Sequence, residues 1–430
     1  MTNMAFQSFQ PQRGDYVLVA LLLAGVYFGF GPRSAFPDRF AWLADAWVQG
    51  EWTVTVQGFP DELIPADEAG EYFVAYPPLP AVILIPLRAA IGASFGSRAA
   101  CRCFCIVAVL LWGGVLSRLA QRDIGPRLRK SDWYFWVLVL GLGTAVWDSA
   151  TWAGDWHYAH AVAIAFFMAA LLEFFGARRW WLLGAWLGLA ILARPTTAFA
   201  GVFFLLAAIE RPISRQQLRA RLLVIIGPLL AVALLAGYNA LRFGDPFDFG
   251  YDRMTLRGEG LALMNAYGQF HAVYVPRNLF WFFFAPPTTT SDGASPFLSY
   301  DLHGISVLLA SPIFLLVGVA VWRRARQRIV WTAMVGIALC LIPLLLYFNT
   351  GFAQFGHRFS MDYLPLLMLL AFVGAGLVRR AVVRVLLVVS ILIHVWGLLL
   401  VHPSQQARAW RPSFIELKED SVAPSSTDEN

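Results

Sequence analysis

Charge is what this sequence has least of. Only 14% of its 430 residues are Asp, Glu, Lys or Arg, against 58% hydrophobic and 15% aromatic residues, and the mean hydropathy is +0.60. A soluble domain carries roughly a quarter charged residues, so the composition excludes one and points to a chain that crosses a membrane several times. Cysteine is also scarce: Cys101, Cys103, Cys105 and Cys340 all lie inside apolar runs. With no C-x-x-C pair and no facing histidine cluster, they read as small buried side chains rather than a zinc or disulfide framework. No internal repeat and no soluble second domain is found. No A-x-A-like cleavage site follows the apolar run from Tyr16 to Gly31, so that run is expected to stay as a signal anchor. The net charge of +6 and pI of 9.3 come from short basic clusters between apolar runs. These are topology signals, and no nucleic-acid partner is expected.

What is present is a series of apolar runs. Eleven spans are expected, at 16–31, 99–117, 133–150, 157–176, 180–194, 196–210, 222–241, 304–322, 329–348, 362–378 and 382–401, each near or below the ~20 residues that cross hydrocarbon. Residues 79–96 are apolar too, but contain Pro80, Pro86 and Arg88. Counting them as a span would put Arg118, Arg122, Arg127, Arg129 and Lys130 outside, against the positive-inside rule. They are read as an interfacial helix instead. The other basic clusters, at 178–179, 211–221, 323–328 and 379–384, then also face the cytoplasm. The expected fold is thus an all-α polytopic membrane domain over residues 1–402, with outer loops at 32–98 and 242–303. A polar tail, 403–430, is expected to be disordered.

The outer side receives the chemistry-bearing residues. Residues 31–90 form the longest mainly polar interval of the N-terminal half, and in it Asp38 follows Pro37 and opens an amphipathic segment, FAWLADAWVQG. TWAGDWHYAH at 151–160 puts Asp155, His157 and His160 at the mouth of two helices. Arg194-Pro195 joins two short segments, and FGHRFSMDYLP at 355–365 adds His357, Arg358 and Asp362. Carboxylates, histidines and arginines on one face can deprotonate a hydroxyl and steady a phosphate. For Asp38 a helix N-cap is the structural alternative, and for Arg194 a snorkelling contact with headgroups. His157 and His160 read as hydrogen-bonded residues of the interfacial belt rather than ligands, and His394 as packed or hydrogen-bonded within the bundle.

The run PDRFAWLADAWVQGEWTV, followed by EYFVAYPPLP, resembles the first outer loop of the family 39 polyprenyl-phosphate-dependent glycosyltransferases, of GT-C type. This group includes the lipid A aminoarabinose transferase and the protein O-mannosyltransferases. The likeness is strongest over 37–86, with weaker echoes at Asp155, 188–196 and 238–251. It implies a polyprenyl-phosphate sugar as donor, entering from the bilayer, and a glycan, lipid or protein as acceptor. It also implies a site on the extracytoplasmic face of a bacterial inner membrane. Asp38 would be the general base of an inverting transfer, with Asp155 beside it. Arg194, Arg277, His357 and Arg358 are the candidates for the donor phosphate, chosen by position, while Tyr76 and Asp45 are the substrate-binding candidates. A divalent cation would have Glu71, Asp155 and His157 as ligand candidates. The chain departs from the pattern at Arg39, where the family has Glu, and at Tyr76, where the aminoarabinose transferase has Lys. A lipid-linked sugar flippase and a non-catalytic scaffold are the competing readings. A flippase predicts ionisable groups at mid-membrane and two related halves.

Overall fold

The computed structural model describes residues 8–30, 37–56, 61–66, 68–208, 215–256, 258–289 and 298–401; the expected disordered tail lies outside them. The chain is 71% helix and 5% strand. The N-terminal third holds α1 (Arg13–Gly29), α2 (Arg39–Val48), α3 (Leu79–Ile91), α4 (Ser97–Gln121), α5 (Lys130–Leu142) and α6 (Ala145–Trp152). Then come α7 (Asp155–Phe175), α8 (Trp180–Ala193), α9 (Thr197–Ala207) and α10 (Arg215–Phe243). The last part holds α11 (Gly258–Tyr267), α12 (Val275–Leu279), α13 (Val307–Ala310), α14 (Leu315–Arg324), α15 (Arg328–Leu346), α16 (Leu364–Ala375) and α17 (Arg380–Val395).

Among the described residues five helices are long and apolar enough to cross a membrane: 97–121, 155–175, 221–243, 328–346 and 380–399. This is fewer than the eleven expected spans. Hydropathy averages over breaks that local chemistry imposes. The run at 133–150 divides at Gly143-Thr144, where Thr144 turns extended and its hydroxyl accepts from Val146 N to start α6. The run at 304–322 divides because Ser306 caps the four-residue α13 and Pro312 opens a separate turn before α14. The helices on either side of Arg194-Pro195 have 14 and 11 residues.

The mostly helical structure is consistent with the all-α expectation, and its few strands are short and lie in the two outer loops. In the first, β1 (Val54–Thr55), β2 (Leu63–Pro65) and β3 (Glu71–Val74) form an antiparallel sheet in the order β1-β3-β2. In the second, β4 (Thr288–Thr289) pairs with β5 (Leu298–Ser299). The loops are stitched together: Glu62 N donates to Thr255 O and Thr255 N to Leu63 O, each at 2.8 Å.

The core is helix on helix. α7 packs between α4 and α8, α8 also against α10, α9 against α15, α14 against α16 and α5 against α17. The α8–α10 contact is made by backbone. A Cβ on Gly227 would lie 1.9 Å from Gly184 O, and one on Gly188 would lie 2.6 Å from Gly227 O. Small residues that let backbones touch are the common device for packing helices in lipid.

Contacts sort the loops to two ends. At one, Arg122 donates to Gly176 O, Arg380 to Arg127 O, Arg384 to Asp132, and Lys130 pairs with Asp15. The basic loops at 118–130, 178–179 and 379–384 therefore share an end with the start of α1. At the other end the Asp38 carboxylate bonds to the starts of both α2 and α4. No net crossing separates those two points. The 13 residues of α3 rise roughly 20 Å, less than the ~30 Å of a hydrocarbon core.

Candidate functional site

A cavity of about 370 Å³ opens where the two outer loops meet the ends of α7, α8, α10 and α15. Its wall is mainly apolar, with Trp156, Phe199, Leu235, Phe270, Leu344 and Phe359 among its residues. Among the described residues its charged groups are three arginines, Arg194, Arg242 and Arg358, and one carboxylate, Glu62, with Tyr76, Tyr238, Tyr251 and Tyr347 adding phenol hydroxyls.

Each arginine is held differently. Arg194 leaves the end of α8 and makes two hydrogen bonds to Asp362, at 3.0 and 3.3 Å. Asp362 in turn lies 2.8 Å from His160 Nδ1 and accepts from Thr196 Oγ1. Arg242, on the last turn of α10, lies 3.8 Å over the Tyr238 ring and donates to Asn239 and to Val74 O. The i, i+4 spacing of Tyr238 and Arg242 makes that stacking possible. Arg358 follows the buried His357 and rests 4.8 Å over Trp156 and 5.1 Å over Phe359, donating to Phe352 O. Burial draws its pKa down to about 10, opposed by Glu62, so it stays cationic at neutral pH. Among the described residues neither Arg242 nor Arg358 has a carboxylate in salt-bridge range.

Glu62 sits before β2 with its side chain 16% exposed. Its Oε2 accepts from the Tyr76 hydroxyl at 2.6 Å, and Trp156 Nε1 donates to the same hydroxyl at 2.7 Å. Arg39 stands behind, 3.8 Å from Oε2 and 3.2 Å from Asp155 Oδ2. Burial raises the Glu62 pKa, restrained by the Arg39 charge and the Tyr76 hydrogen bond. Tyr76 is pushed well above the usual phenol range by burial and by Glu62.

The sequence candidates divide accordingly. Tyr76, Arg194 and Arg358 line the cavity, whereas Asp38, Asp45, Asp155, Arg277 and His357 do not. Asp38 is taken up by two helix starts, accepting from Ala41 N at 3.2 Å, Ser97 N at 2.9 Å and Ser97 Oγ. A Cβ at Gly96 would lie 2.1 Å from Asp38 Oδ2, so a larger residue there would have to displace that carboxylate. Asp38→Ala is expected to lower stability by about 2 kcal/mol, about one for each cap lost; an unchanged unfolding midpoint in detergent would contradict this clip. Asp45 is clasped by Arg88 at 2.9 and 2.5 Å. Asp155 Oδ2 receives both the backbone N and Nη1 of Arg39, each at 3.2 Å. Arg277 pairs with Glu259, and His357 packs on the Phe282 ring at 3.5 Å. Glu71 accepts from Thr53 within the small sheet. Among the described residues no three His, Cys, Asp or Glu side chains form a metal-holding group, so Glu71, Asp155 and His157 are not gathered into one.

Glu62, Arg242 and Tyr251 are cavity residues that the sequence did not single out. Arg242 had a local signal in its spacing from Tyr238. Glu62 is brought to the cavity by pairing with Thr255, 193 positions away, which no local pattern encodes. In comparisons with protein-family models, curated proteins and solved structures, nothing matches this chain.

Proposed function

We propose that the protein is an inverting glycosyltransferase that moves a sugar from a polyprenyl-phosphate donor to a hydroxyl acceptor at the extracytoplasmic face of a bacterial inner membrane. The observation that carries this reading is one cavity pairing a mostly apolar wall with Arg194, Arg242, Arg358 and, among the described residues, a single carboxylate. That composition suits an anionic head on a hydrocarbon tail. Buried guanidiniums without carboxylate partners are costly unless an anion joins them. They also stabilise the charge that develops as a phosphate leaves. Because the cavity is at the end opposite the basic loops, the positive-inside rule favours an outward-facing site. A flippase would instead use ionisable groups along the middle of the membrane.

The test is transfer. Purified protein in liposomes, given undecaprenyl-phosphate hexoses labelled in the sugar together with a membrane extract as acceptor source, is expected to convert label to a form that resists mild acid. Intact donor for every hexose would overturn the reading.

A further inference from the structure

We propose that Glu62 is the base that takes the proton from the acceptor hydroxyl; the assignment rests on the glycosyl-transfer reading above. Among the described residues Glu62 is the one carboxylate lining the cavity. Its oxygens are unequal. Oε2 is held by Tyr76 at 2.6 Å and faces Arg39 at 3.8 Å, whereas Oε1 makes no hydrogen bond among the described residues. Two carboxylates that the sequence favoured, Asp38 and Asp155, are engaged elsewhere, one by helix starts and the other by Arg39.

The backbone points the same way. Glu62 has φ +55°, in the left-handed region, which a glutamate adopts rarely and at some energetic cost. The bonds to Thr255 on either side fix it there. Strain retained in this way concentrates at working sites.

The step balances as follows. Oε1 accepts the acceptor's hydroxyl proton as the acceptor oxygen forms a bond to the anomeric carbon. The bond from that carbon to the phosphate oxygen breaks, and its electron pair leaves on the lipid phosphate beside the guanidiniums. The charged groups that bear on Glu62 are Arg39 from α2, with Asp155 behind it, Asp61 next to it and Arg358 across the cavity. Tyr76, Tyr251 and Tyr347 face it as neutral phenols, their pKa values raised by burial. Burial lifts the carboxyl from its ordinary value, the direction that makes a better general base at neutral pH.

The experiment compares wild type, Glu62→Gln and Glu62→Asp in liposomes with the labelled undecaprenyl-phosphate hexoses, following kcat and donor KM against pH. Glu62→Gln is expected to lose at least ~100-fold in kcat, with donor KM unchanged and the acid limb of the kcat profile gone, while Glu62→Asp keeps that limb at a reduced rate. Wild-type kcat in Glu62→Gln would overturn the assignment. Should Glu62→Gln not fold, a wild-type kcat in Glu62→Asp would overturn it equally.

If the wild type turns over no hexose donor, the glycosyl-transfer reading fails, and a second arm still judges the residue. Dicyclohexylcarbodiimide labels protonated carboxyls reached from an apolar phase. Glu62 is expected to be modified at mildly acidic pH, less so as pH rises, and to be protected by farnesyl phosphate. Absence of label on Glu62, or no protection, would overturn its place as a reachable base in a ligand site.

Discussion

Exchanging Arg358 for glutamine is expected to weaken farnesyl phosphate binding by about 100-fold, the loss of roughly 2.7 kcal/mol, without making the unliganded protein less stable. The two halves of this result come from one cause. The Arg358 side chain is among the largest fully buried in the protein, and within the described residues no carboxylate pairs with it. Its neighbours are the faces of Trp156 and Phe359 and the carbonyl of Phe352. A guanidinium so placed has lost hydration without gaining a counter-ion, which is unfavourable until an anion arrives. A neutral glutamine removes both the penalty and the attraction. Isothermal titration and thermal unfolding, each with and without farnesyl phosphate, read the two effects. Wild-type affinity in the variant would remove Arg358 from the phosphate site. A large fall in unliganded stability would show that its hydrogen bond to Phe352 O and its ring contacts dominate.

The second large effect is on stability. Replacing Arg39 by methionine is expected to lower it by about 3–5 kcal/mol, the range for removing one partner of a buried ion pair. The Arg39 and Asp155 side chains are 3% and 1% exposed, so the stranded carboxylate has no access to water. Asp61 O would also lose its two donors, Arg39 Nε and Nη2. Adding Asp155→Asn to the methionine variant removes the stranded charge and should recover part of the loss. No recovery would show that Asp61 and Glu62, rather than Asp155, depend on Arg39. The measurement is the unfolding midpoint in detergent at a fixed scan rate for wild type, both singles and the double.

The arginine at position 39 marks a limit of reading the sequence alone. By resemblance it stood where a carboxylate belonged and looked like a gap in a site. In the fold it is the post between Asp155 and Glu62, joining α2, α7 and the first outer loop. Positions next to a chain reversal could be placed from sequence: Arg194 before a proline, Tyr76 before Pro77-Pro78, Arg358 in a turn between apolar runs. Glu62 could not, because it depends on pairing with Thr255; for Arg242 the spacing from Tyr238 is a signal, but which face of the long apolar helix turns inward is not legible. Likewise the apolar runs mark where helices lie, while the number that can cross depends on breaks such as Gly143-Thr144 and Pro312. Asp38 was legible both as a base and as a cap, and its bonds to Ala41 and Ser97 are those of a cap.

The bare contact between α8 and α10 has a mechanical side. Gly227 touches Gly184 with no side chain between them, and Pro228 follows within α10, where it removes one backbone hydrogen bond and softens the helix. Arg242 lies 15 residues further on, about 22 Å along the axis. Over such an arm a tilt of about 5° at Gly227-Pro228 displaces the guanidinium by about 2 Å. The distance from Arg242 to the opposite wall therefore depends on the angle of a lever as well as on the arginine's own rotamer.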